Sequence, residues 1–82
     1  MYLYRSDEIK IRKGLPEKIM DVMRELDNSY EIGIQNENDI NAYMEYAKNL
    51  DIVETMTKVY CDDGKISEKD LDIIFKKYGL RV

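Results

Sequence analysis

The sequence predicts a small two-layer α+β domain, one unit over residues 1–82, with the element order β-β-α-β-α-(α)-α. Three observations lead there. Apolar residues alternate in two short runs near the N-terminus, around Tyr2-Leu3-Tyr4 and Ile9-Lys10-Ile11. A third alternation follows at Tyr30, Ile32 and Ile34. Between and after these runs lie segments with helical spacing and helix-terminal residues. An N-terminal β-hairpin and a third strand are thus expected to pack against three to four helices.

Each element has its own grounds. Arg5-Ser6-Asp7-Glu8 is a polar turn that can join the first two strands. Lys13-Gly14 ends the alternation, and Pro16 suits the first turn of a helix. Leu15, Ile19, Val22, Met23 and Leu26 then fall on one helical face. Asp27-Asn28-Ser29 closes that helix ahead of the third strand, in which Tyr30, Ile32 and Ile34 share a face.

The polar loop over residues 35–39 offers Asn36 or Asn38 as the cap of the next helix, whose apolar stripe reads Ile40, Tyr43, Met44 and Ala47. Asn49 is a candidate terminator, after which Asp51 and Glu54 resemble a capping box that opens another helix through about Tyr60. The alternative is one helix over 39–60; a break near Asn49 is the favoured reading. In the last helix Ser67 and Asp70 form a capping box. Ile66 and Leu71 are spaced as a hydrophobic staple, and Leu71, Ile74, Phe75 and Tyr78 form the buried face. Gly79 is a left-handed stop from which Leu80 can fold back on Phe75.

Composition narrows the class. The 82 residues are 44% apolar and 37% charged, enough for a modest core and too apolar for a disordered chain. A single cysteine, Cys61, rules out an internal disulfide, and no apolar run reaches the length of a membrane span. The N-terminus lacks the pattern of a signal peptide, so a cytoplasmic location is expected. Abundant Ile, Lys, Asn and Tyr fit an AT-rich genome and the class of small phage or mobile-element accessory proteins.

Few residues carry an obvious chemistry. With one Cys and no His, the chain has neither a cysteine–histidine pair nor the donors of a zinc site. Serines 6, 29 and 67 fall at turns or caps, and the glycines are scattered. No enzyme and no cofactor are expected. The run Asp62-Asp63-Gly64-Lys65-Ile66-Ser67-Glu68-Lys69-Asp70 resembles the second half of an EF-hand loop, with Gly64 at the turn, Asp63 before it and Asp70 closing it. The resemblance implies a calcium-binding helix pair. Val59 and Cys61 stand where the first ligands would be, and a turn leading into a capped helix accounts for the same residues.

Charge gives the main expectation. Residues 19–57 hold nine carboxylates against two cations, whereas the first 18 residues are net +2 and residues 58–82 net +1. The functional reading is a non-catalytic interaction or regulatory protein that meets a basic macromolecule through an acidic helical face. Glu37, Asp39, Glu45, Asp51 and Glu54 are the candidate contacts, with an exposed Tyr46 beside them. A nucleic-acid-binding alternative rests on Arg5, Lys10, Arg12, Lys13 and Lys18 with Tyr2 and Tyr4, and the chain's net charge of −4 weighs against it. Either a monomer or a homodimer fits, since sheet edges can pair.

Overall fold

The computed structural model describes residues 3–81 and is all-helical among them: α1 spans Glu17–Gln35, α2 Ile40–Asp62 and α3 Glu68–Lys77. The expected α+β arrangement, its hairpin and its third strand are overturned. Residues 3–16 form an arm without regular structure; the part of the first expected strand at Tyr2 lies outside the described residues.

The helical repeat explains why the third strand is absent. The spacing of Ile19, Met23 and Leu26 continues unbroken through Tyr30 and Gly33, so the α1 core face runs past the expected stop. Ser29, read as a terminator, is buried and donates its hydroxyl to the Leu26 carbonyl at 2.8 Å. Asp27 accepts from the Tyr78 hydroxyl at 2.8 Å instead of capping the chain end. Ile32 and Ile34, expected on one buried strand face, are exposed, and Gly33 between them is buried.

The hairpin fails because the arm's backbone groups pair elsewhere. The Ser6 amide donates to the Lys77 carbonyl at 2.7 Å. Lys77 Nζ donates to the carbonyls of Ser6 and Ile9, both at 2.9 Å. The arm thereby fastens to the end of α3. Arg5 holds it to α1 through Glu31 at 2.6 Å and Asp27 at 3.6 Å, with its guanidinium 4.4 Å from the centre of the Tyr30 ring. No Cα atoms of α1 and α3 come into contact; each helix packs on α2, and the arm fills the seam between them.

α2 is one continuous helix of 23 residues, about 35 Å at 1.5 Å per residue, and it runs most of the molecule's 39 Å long axis. The favoured break near Asn49 is absent. Asn49 is buried, and its side-chain amide reaches the Glu25 carbonyl at 3.4 Å. Asp51 therefore caps nothing. The cap of α2 is Asp39 rather than Asn36 or Asn38, accepting from the amides of Asn41 at 2.9 Å and Ala42 at 3.4 Å. Asn36 closes α1 instead, donating its side-chain amide to the Ile32 carbonyl at 2.8 Å.

The expected face of α1 and most of that of α3 lie in the core, with Leu15, Ile19, Met23, Leu26, Ile74, Phe75 and Tyr78 buried. Ser67 and Asp70 form the capping box in both directions. Gly79 takes a φ of +71°, and the Leu80 amide returns to the Phe75 carbonyl at 2.8 Å. The inward face of α2 differs from the expected stripe: it is Tyr46, Asn49, Val53 and Thr57. No described helix is long and apolar enough to cross a membrane.

Candidate partner-binding groove

The expected α2 stripe of Ile40, Tyr43, Met44 and Ala47 lies at the surface. Ile40 and Met44 are 56% and 60% exposed, and Tyr43 and Ala47 are half-buried. At about 100° per residue the stripe is turned roughly 60–160° from the core direction set by Tyr46. Two of its residues, Tyr43 and Ala47, line two adjoining depressions that share Tyr43. The first, of about 350 Å³, lies at the turn between α1 and α2 and is lined by Leu3, Ile34, Glu37, Asn38, Asp39 and Tyr43. The second, of about 370 Å³, is lined by Tyr4, Tyr43, Ala47, Leu50, Tyr78 and Gly79. Together they form a groove that has α2 on one side and, on the other, the arm with the end of α1 in the first depression and the arm with the residues after α3 in the second.

Local sequence explains both walls. The arm's Leu3 side chain seats over Gly33, where a Cβ would lie 2.8 Å from Leu3 Cδ1. Tyr4 lies on Gly79, where a Cβ would lie 2.9 Å from its ring. Two glycines thus let the arm approach the helices closely. Ala47, small and central on α2, keeps the floor open.

The six predicted contact residues separate on this frame. Glu37 and Asp39 stand at the rim of the first depression. Asp51 is exposed and about 40° from Ala47 around α2; Glu54 is half-buried and about 60° from Asp51, so both flank the groove further along the helix. Glu45 lies about 180° from Glu54, on the other side of α2, and is paired with Lys48 at 2.8 Å. The five carboxylates therefore do not make one face. Tyr46 is 3% exposed, so its expected place on the partner surface is overturned. Its hydroxyl accepts from the Tyr4 amide at 3.3 Å and donates to the Tyr4 carbonyl at 2.9 Å, which builds the groove from beneath.

Charge around the groove is uneven. Residues 25–47 contain six carboxylates and no Lys or Arg. Arg5 from the arm answers two of them, Asp27 and Glu31. Glu54 pairs with Lys58 at 3.2 Å, while Glu37, Asp39 and Asp51 have no ion pair among the described residues. The first turn of the groove thus combines exposed aliphatic groups with uncompensated carboxylates.

The alternative sites fare differently. Both Asp70 carboxylate oxygens are held by Arg12, at 2.9 and 3.0 Å, and the Ser67 amide adds a third bond at 3.3 Å. The Arg12 hydrogen bonds hold the Asp70 carboxyl down at about 2. The closing residue of the EF-hand-like run is therefore committed to a guanidinium, and among the described residues no three His, Cys, Asp or Glu side chains converge as a metal site requires. Of the five N-terminal cations, Arg5 and Arg12 are spent on carboxylates within the fold.

The continuing α1 repeat and the pairing of arm to helices were the signals missed in sequence. Gly33, three residues after the partly buried Tyr30, and Gly79, next to the buried Tyr78, are the trace they left. No family model, curated protein or solved structure matches the chain.

Proposed function

We propose that this chain is a small non-catalytic binding protein that takes up a basic segment of another protein in the groove along α2. The observation that carries this reading is the coincidence of the open groove with Glu37 and Asp39 at its rim, joined by Asp51 next to Leu50 on α2, three carboxylates that have no ion pair among the described residues. Apolar lining supplies contact area, and like-signed charge at the rim steers and orients a cationic partner. Binding without chemistry suits an accessory or inhibitory protein that occludes a partner's basic surface.

The acidic charge disfavours a nucleic-acid backbone as the occupant, since phosphate would meet carboxylate. The test is an amide NMR titration of the protein with Lys- and Arg-rich peptides at physiological salt. Shifts are expected at residues 34–54 and in the arm at Leu3 and Tyr4. Shifts spread evenly over Asp62, Asp63, Glu68 and Asp72 would overturn the reading.

A further inference from the structure

We propose, resting on the binding role above, that the occupant of the groove is an amphipathic cationic helix of a partner protein, about 12–15 residues long, lying along α2. The wall that α2 gives to the groove has a helical spacing. Tyr43, Ala47 and Leu50 line it at intervals of four and three, and Ile40, Met44, Asp51 and Glu54 stand alongside them on α2. A neighbouring helix has the same rise and the same repeat, so its apolar side chains meet this wall in register along its whole length. An extended segment gains about 3.3 Å per residue and falls out of step within one turn of α2.

The ends of the groove fix length and charge. Asp39 and Asp51 are twelve residues apart on α2, about 18 Å at 1.5 Å per residue. A partner helix of three to four turns places Lys or Arg near both. Its middle meets Ala47, the small α2 residue that lines the second depression, so a bulky anchor such as Leu or Phe fits there. Carboxylates that have no ion pair among the described residues, at both ends, with exposed Ile40 and Met44 between them, complement a helix with aliphatic groups on one face and cations flanking it. The back of α2 also exposes Ile52 and Val59, but they lie about 40° and 20° from Lys48 and line neither depression of the groove.

The experiment uses three probes against the full chain. One is a 14-residue peptide with Leu at three- and four-residue spacing and Lys near both ends. The second has the same composition with the Leu spacing broken. The third is oligolysine. The patterned peptide is expected to bind at least tenfold more tightly than the broken one, to gain helicity by circular dichroism, and to lose that advantage with Ile40→Ser and Met44→Ser. Both residues are more than half exposed, so the double variant is expected to fold. Equal binding of all three probes, lost with Glu37→Lys and Asp51→Lys, would overturn the helical occupant and leave the basic-partner reading standing. Binding by none of them would overturn both. Tight binding of the patterned peptide with shifts at Ile52 and Val59, and none at Tyr43 or Ala47, would overturn the groove as its seat.

Discussion

The Tyr46 hydroxyl bridges both backbone groups of Tyr4, accepting from its amide and donating to its carbonyl. A buried side chain of α2 thus fixes the end of the arm that walls the groove. Tyr46→Phe removes both hydrogen bonds while keeping the ring. The expected cost is about 1–2 kcal/mol, from about 1 kcal/mol per bond. Amide exchange at Tyr4 is expected to quicken more than exchange in the middle of α2. Equal acceleration in both places would mean that the bridge serves the whole core and not the arm.

Arg12 and Asp70 join the other end of the arm to α3, and their link depends on pH. The Arg12 hydrogen bonds are the largest cause holding the Asp70 carboxyl at about 2, below the ordinary aspartate value of about 3.9. A depressed folded-state value stabilises the fold fully above pH ~4, and that contribution fades as pH falls from ~4 toward ~2. Urea midpoints of the native chain and Asp70→Asn are therefore expected to differ at pH 6 and to converge by pH 2. A gap that stays constant across that range would show that the carboxylate charge is not what matters.

Gly79 and Gly33 both admit the arm, but replacing them has different consequences. At Gly79 the φ of +71° and the nearby Tyr4 ring both oppose a Cβ, and Gly79→Ala is expected to cost about 1–2 kcal/mol. At Gly33 the backbone is helical and only the mobile tip of Leu3 stands in the way. Gly33→Ala gains up to about 1 kcal/mol of helix propensity, which offsets the displaced leucine. Thermal denaturation should rank Gly79→Ala well below Gly33→Ala. The reverse order would mean that Leu3 is more tightly seated than Tyr4.

Thr57 is fully buried, and its hydroxyl has no hydrogen-bond partner among the described residues. An unmet buried hydroxyl costs about 1–3 kcal/mol, and valine has nearly the same shape. Thr57→Val is expected to raise stability by about 1 kcal/mol in urea unfolding. A loss of stability would place a partner on that hydroxyl.

These contacts show which parts of the structure were legible in sequence. The α1 face from Leu15 to Leu26 and the capped α3 were readable, because periodicity and caps are local signals. The three strands were misread because alternation over three to five residues also occurs by chance on a helix or an arm. Ile32 and Ile34 are the case in point: two exposed isoleucines flanking a buried glycine mimic a strand face. The α2 register was misread because the helix is apolar on two sides, with Tyr46 and Val53 inward and Ile40, Met44 and Ala47 along the groove. Sequence identified the acidic excess but not its partition, since Glu45 and Glu54 lie on opposite sides of α2 and only the folded arm answers Glu31.

The most direct test is a pair of charge reversals matched in size. Glu37→Lys with Asp51→Lys changes the groove rim; Glu45→Lys with Asp62→Lys makes the same change in net charge away from the groove. Affinity for a Lys-rich amphipathic peptide, read by calorimetry at fixed ionic strength, is expected to fall at least tenfold for the first pair and no more than about twofold for the second, since reversing off-site exposed charges alters mainly the long-range field. Equal losses in both pairs would contradict the account, because the protein would then attract cations by its net charge alone.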